Sequence, residues 1–531
     1  MSRVAERWLR AAALALCACL ALYGLDRPKL WIDEAETALL ARSILVHGVP
    51  KARVGSDLIS QEIGREFGPD LLWRWTPWLD KYVAAGSFAI GGESTRAARM
   101  PFALLGVAAV ASVYVLAFGL FADRRIALLS LVYLGTSVPF LLHVRQCRYY
   151  ALAILGTVWA VHFAAGCVRG AGWRAPLGVA AALTLVFHAN YLTFAALSVS
   201  LASATWVLGI DRAGAGRMLL AAALAALFNA PWLFVLDVAG KSDLVATFHP
   251  EYLAEYGALL VRYGFPLAAL AAFALLAAVT RRWREPAAEW RAPVFLALLP
   301  FAYVLVLCLG PLRFFRYAAN LLPVFAVLLG WLSVRAYEMQ RAAGGALAAL
   351  LLVTGIFAEL SAAPTRYGGD FSPGRTSRTL DWVFPLGNFL TELTHPFEGA
   401  IGQVTELVAA HAHRGDRMYV SYEDLVARFY LTGVEVRGGQ SGESLAGWGP
   451  PEWIFTRRFF RFIGPEVPGS DAQAVLDWLE RAVPWSEYEA LELPVPDLPG
   501  VSIPEPQWHW FVPPTGGDRA VLARRQAPRA R

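Results

Sequence analysis

The sequence predicts a mainly α protein: a polytopic transmembrane helical bundle of about eleven spans, followed by a small C-terminal α/β domain. Three observations carry this. Hydrophobic residues make up 57% of the 531-residue chain and charged residues only 17%. From Ala11 to Leu360 the chain is mostly apolar runs near the ~20-residue length that crosses a bilayer as a helix, which satisfies its own backbone hydrogen bonds in lipid. After residue 360 the composition turns Pro- and Gly-rich.

The first run, about residues 11–25, follows a basic segment. No small-residue cleavage site precedes Asp26 and many runs follow, so it reads as a retained helix rather than a signal peptide. The remaining spans are expected near 95–121, 126–142, 148–168, 175–190, 191–209, 217–237, 256–279, 292–310, 316–334 and 342–360. With the N-terminus inside, every inner loop carries arginine, from Arg124 and Arg125 to Arg335 and Arg341, in keeping with the positive-inside rule. An odd number of spans then places the C-terminal domain outside. The expected domains are 1–360, transmembrane, and 361–531, extracytoplasmic with a disordered tail over its last dozen residues.

The outer loop 26–94 holds two amphipathic pieces, Glu34–His47 and a stretch around Leu71–Ile90. Trp73, Trp75 and Trp78 would suit a position along the membrane interface. In the C-terminal domain, Arg417–Tyr422 and Trp453–Phe460 read as strands. The net charge of +5 is scattered, with no Lys/Arg stripe, which argues against a nucleic-acid partner. Cys17, Cys19, Cys147, Cys167 and Cys308 all lie in or beside apolar runs, so they give no disulfide framework, and no Cys/His spacing reads as a zinc site.

Arginine at an outer membrane end breaks the positive-inside pattern, and it does so twice. Arg145-Gln-Cys-Arg148-Tyr149 and Arg313-Phe-Phe-Arg316-Tyr317 share the pattern Arg-x-x-Arg-Tyr, each at the expected start of an inward-running helix. A spacing of three would put both guanidiniums of a pair on one helical face, and a helix N-terminus already favours an anion. Arginine forks added there make a phosphate site. The alternative is that these arginines snorkel to lipid headgroups or pair with loop carboxylates, with the tyrosines as interfacial anchors.

Trp31-Ile32-Asp33-Glu34-Ala35-Glu36 follows the first span. Asp33-x-x-Glu36 reads as a capping box. The same carboxylates, at the outer surface, could take a proton from an attacking hydroxyl while cations stabilise a departing phosphate. His188, Asn190 and Tyr191 occupy a tight outer turn and either face the same cavity or satisfy the turn. Asp57, Glu62, Glu66 and Asp70 offer a second loop carboxylate, with Glu62 included among the cavity candidates.

In this order and membrane placement, Asp33-Glu34, Arg99-Met100-Pro101, Arg148-Tyr149-Tyr150 and Arg316-Tyr317 with Pro323 resemble the GT-C superfamily of membrane glycosyltransferases. The branch is the one containing protein O-mannosyltransferases and lipid A aminoarabinose transferases, and the resemblance covers roughly residues 8–360. It implies a polyprenyl-phosphate-linked sugar donor, undecaprenyl phosphate in a bacterial inner membrane, and a lipid, glycan or protein acceptor. It also implies inverting transfer at the outer face, with Asp33 as the catalytic carboxylate. No cofactor is required, although loop carboxylates could hold a divalent metal. Pro69-Asp70-Leu71-Leu72-Trp73 departs from the Pro-Pro-Leu-Tyr-like stretch of relatives. A lipid-linked-sugar transporter and a non-catalytic glycan-binding relative are the alternatives. The near absence of charge at span centres speaks against transport.

Overall fold

The computed structural model describes residues 2–244, 247–281, 290–310, 313–362, 384–438, 441–457, 472–498, 503–514 and 516–526. The protein is mainly helical with a small sheet, and it divides into two compact units. One unit comprises Met1–Tyr23, Phe102–Leu393 and Glu505–Gln507. The other comprises Gly24–Pro101, Thr394–Pro504 and Trp508–Arg531. This partition differs from the boundary expected at residue 360, because the first outer loop folds with the C-terminal region.

In the helical unit, five helices among the described residues are long and apolar enough to cross a membrane: Thr95–Phe121, Tyr150–Arg169, Tyr191–Leu208, Arg212–Val235 and Ala319–Met339. Two bent pairs, Arg124–Gly135 with Val138–Val144 (62°) and Pro250–Tyr263 with Leu267–Thr280 (67°), raise the number to seven if each is one span. The runs expected at 175–190, 292–310 and 342–360 do form helices, but shorter ones of 10–17 residues. Both bends sit beside a proline. Pro139 and Pro266 lack the N–H that would continue the preceding helix, so the chain restarts there.

The Leu322–Met339 helix lies at the centre, buried along nearly all its length. Gly330 lets it approach the Arg124–Gly135 helix closely, since a Cβ there would lie 2.6 Å from Ser130 Oγ. Hydrogen bonds between helices add to this packing: Tyr133 to Ser333 at 2.7 Å and Asn320 Nδ2 to Thr157 Oγ1 at 3.1 Å. By contrast, the Arg212–Val235 helix exposes Leu219, Leu227, Phe228 and Phe234, an apolar face suited to lipid.

The second unit pairs a loop with a sheet. Its five strands run in the order Glu435–Gly438, Arg417–Val420, Trp453–Phe455, Arg519–Arg525, Tyr488–Pro496. The first three are parallel and the last two join antiparallel. The strand at 417 falls where it was expected. Of the expected 453–460 strand, Trp453–Phe455 forms, and 458–460 lie outside the described residues. The tail expected to be disordered instead contributes Arg519–Arg525, because Ala520 and Leu522 alternate into the core. Residues 527–531 lie outside the described residues.

Within this unit the loop is stitched to the C-terminal region by polar contacts. Lys29 N donates to Glu398 at 3.1 Å, Leu30 N to Tyr430 Oη at 2.9 Å, and Arg42 Nη2 to the Phe429 carbonyl at 3.1 Å. The Phe88 and Phe429 rings stack at 6.2 Å. The expected amphipathic piece at 34–47 is the helix Ile32–His47, and most of its circumference is buried in protein. Trp73 and Trp78 are likewise core residues rather than interface anchors. Their ring N–H groups donate to Thr76 Oγ1 and the Trp73 carbonyl, at 3.1 Å and 2.8 Å.

Candidate active site

Charge-bearing candidates occur in both units. In the loop unit the helix begins at Ile32, so Asp33 and Glu34 are its second and third residues. The cap therefore falls two residues earlier than expected. Glu34, not Glu36, reaches back to the Trp31 N–H, at 3.3 Å. Glu34 is fully buried and paired with Arg99 through contacts of 2.6 Å and 2.8 Å. Arg99 also donates to the carbonyls of Leu25 (3.3 Å), Pro28 (2.7 Å) and Lys29 (3.3 Å). The motif arginine thus fixes the approach to the helix, and Glu34 is its counter-ion.

Asp33 is half-buried, unlike the enclosed Glu34 and Glu36. Beside it lies a carboxylate cluster. Gln61 Nε2 donates to Glu36 at 2.7 Å. Glu66 accepts from Ser60 Oγ (2.7 Å), Gln61 N (2.5 Å) and Glu62 N (2.7 Å), and so fixes the turn that carries Gln61 and Glu62. Burial pushes the Glu66 carboxyl up to about 7 against the pull of these donors. Glu62 is raised by burial and then by the negative charges of Glu36 and Asp33. Among the described residues no group of three or more His, Cys, Asp or Glu is placed to hold a metal ion. Asp57 belongs to a different network: burial raises it to about 6, with Arg428 and Arg42 drawing it down. Asp70 pairs with Arg74 at 2.7 Å on the surface.

In the helical unit neither Arg-x-x-Arg-Tyr stretch is a helix start with two guanidiniums on one face. Residues 145–149 form a turn between the helices Val138–Val144 and Tyr150–Arg169. Arg313 is in non-helical chain, and Arg316 sits in a single 3-10 turn, Phe315–Tyr317. The paired arginines consequently part company. Arg145 Nη1 donates to the carbonyls of Leu20 (2.9 Å), Ala21 (3.1 Å) and Tyr23 (2.7 Å), closing the end of the first helix, Arg3–Leu22. Arg313 pairs with Glu255 at 2.7 Å.

Arg148 and Arg316 keep similar surroundings. Arg148 lies over the Tyr149 ring at 5.9 Å, and Arg316 over Phe314 at 4.3 Å and Tyr317 at 5.8 Å. The His143 ring lies against both Tyr150 (5.1 Å) and Phe315 (5.7 Å), so the two turns converge. The Tyr191 ring lies under Lys241 Nζ at 5.4 Å. Asn190 serves its own turn, its Oδ1 accepting from the N–H groups of Leu192 and Thr193 at 3.0 Å each. The His188 ring meets Trp232 edge-on at 4.9 Å.

Two residues beside Arg316 escape a reading by sequence. The buried Glu505 carboxylate lies 3.6 Å from Arg316 Nε, brought there from the C-terminal region. Only its position in a Pro-Glu-Pro run marks it. His143 packs against Phe315 at 5.7 Å.

No family model matches the sequence, and no curated protein matches it. Solved structures do. ArnT from Cupriavidus metallidurans bound to undecaprenyl phosphate matches with a TM-score of 0.55 and 14% identity, covering 98% of this chain and 98% of that one. The same protein in its apo state gives the same values, a TM-score of 0.55 at 14% identity and 98% coverage of each chain. The fold is GT-C. A further GT-C structure, the archaeal oligosaccharyltransferase AglB from Archaeoglobus fulgidus in complex with an inhibitory peptide and a dolichol-phosphate, matches with a TM-score of 0.46 and 12% identity. That match covers 92% of this chain and 70% of AglB. The likeness to ArnT extends over the residues of both the helical unit and the sheet-bearing unit.

Proposed function

We propose that this protein is a membrane glycosyltransferase that moves a sugar from a polyprenyl-phosphate-linked donor to an acceptor hydroxyl at the extracytoplasmic face. The observation that carries this reading is the convergence of the Arg148-Tyr149 and Arg316-Tyr317 turns around the His143 ring, at the ends of apolar helices in a fold like that of ArnT. Arg148 and Arg316 bind the donor phosphate, and the tyrosines hold the guanidiniums in place by stacking. Asp33 takes the proton of the acceptor hydroxyl. The hydroxyl oxygen attacks the anomeric carbon while the bond to the phosphate oxygen breaks. That oxygen keeps the bonding pair, and the arginines stabilise its charge. One displacement inverts the anomeric centre.

This reading includes about eleven spans in a bacterial inner membrane, counting the bent pairs, the three shorter apolar helices and the first helix, Arg3–Leu22, as spans. Asp33, both arginine turns and the C-terminal domain then share the outer side. The chemistry requires no metal, so EDTA should leave transfer intact. The two bent helices are a feature shared with transporters, and the assay must separate these activities. Membranes supplied with a labelled undecaprenyl-phosphate sugar should yield a labelled acceptor, and Asp33→Asn should reduce this by more than about a hundredfold at unchanged expression. Activity retained in Asp33→Asn, or cytoplasmic labelling of a cysteine placed at position 33, rejects the assignment.

A further inference from the structure

Between the two arginine turns of the helical unit stands a side chain that neither motif contains. His143 is fully buried in the short helix Val138–Val144, which follows the 62° bend. Its ring meets Tyr150 edge-on at 5.1 Å and Phe315 at 5.7 Å. Tyr150 lies two residues after Arg148 and packs on Tyr149 at 4.5 Å, while Phe315 immediately precedes Arg316. One imidazole therefore touches both turns.

The hydrogen bonding fixes how it does so. Nδ1 lies 2.6 Å from the Pro139 carbonyl, which can only accept, so Nδ1 carries the proton. Nε2 is buried and without a hydrogen-bond partner among the described residues, so a second proton there would be an unpaired buried charge and the ring is neutral. The bond to Pro139 satisfies Nδ1, and the bulk of the ring between Tyr150 and Phe315 sets how closely the two turns approach.

We infer that His143 is a positioning residue that sets the spacing of Arg148 and Arg316 for a lipid phosphate. The inference rests on the donor reading proposed above. A neutral ring separates the turns without adding a third positive charge, which leaves the phosphate to the two guanidiniums. The ring contacts, rather than a bond from Nε2, do the positioning.

The test measures binding of undecaprenyl phosphate to the full-length protein in nanodiscs, at a temperature where each variant stays folded. His143→Ala should weaken binding by about tenfold, and His143→Phe, which keeps the ring, should stay within about threefold of wild type. Should His143→Ala not fold, Tyr150→Leu breaks the same contact from the other side and should give a similar loss. Wild-type affinity in His143→Ala, or in its substitute Tyr150→Leu, overturns the inference, as does His143→Phe binding as weakly as His143→Ala. If the wild-type protein itself does not bind undecaprenyl phosphate, the donor reading falls first and this inference with it.

Discussion

The helical unit and the loop unit solve opposite versions of one electrostatic problem. The helical unit must hold arginines at the ends of apolar helices, and the loop unit must hold carboxylates in a folded domain. Each uses part of its motif as scaffold. Arg145 is taken up by helix-end carbonyls and Arg313 by Glu255, while Glu34 is taken up by Arg99 and Glu66 by backbone donors. What differs is the surroundings of the remaining candidates. Arg148 and Arg316 lie on aromatic rings, whereas Asp33 lies among other acids. A motif residue is thus as often scaffold as chemistry, and its contacts tell which.

The sharpest way to break this comparison is to remove the counter-ion of a buried charge. Arg99→Ala leaves the enclosed Glu34 carboxylate unpaired and should destabilise the loop unit by about 3–5 kcal/mol. Adding Glu34→Gln should recover part of that loss in a double-mutant cycle. If Arg99→Ala unfolds no more easily than wild type, Glu34 is not held by scaffold contacts.

The helical counterpart should be milder. Arg145→Ala removes a charged donor from three carbonyls and should cost about 1.5–3 kcal/mol in thermal stability. Its donor KM should stay near wild type, whereas Arg316→Ala should raise donor KM by about tenfold or more. An equal rise for both would return Arg145 to the phosphate site.

Acidity separates the units further. The Glu66 carboxyl sits near 7 in the folded protein against an ordinary 4.5, so between these values the folded state binds the proton more tightly than the unfolded state. Its contribution to stability therefore falls as pH rises from about 4.5 and levels off above about 7. Melting curves across this range should show a slope that Glu66→Gln removes. The smallest effect is expected for Arg313→Ala. The Arg313–Glu255 pair is partly exposed, and its loss should cost no more than about 1 kcal/mol, matched by Glu255→Ala.

Much of the architecture could be read from residue type and spacing. Apolar runs gave the helices at 95–121, 150–169 and 212–235, and the alternation around 417–420 gave a sheet strand. The bends at Pro139 and Pro266 were hidden, because a hydropathy run does not record where a helix restarts. Trp73 and Trp78 show the same limit, since a tryptophan looks alike whether it faces a membrane interface or a protein core. Asp33, Arg148 and Arg316 were visible as charges in unusual places. Glu505 and His143 were not, for their roles depend on neighbours distant in sequence.

By itself, then, the sequence determined a helical membrane scaffold, its charge candidates and the face on which they were expected, because bilayer length and local spacing act over a few residues. Only the tertiary structure decided which charges became scaffold, that residues 24–101 fold with the C-terminal region, and that the two arginine turns meet around His143. Those outcomes rest on long-range packing and on the need to pair every buried charge, and no local pattern encodes either.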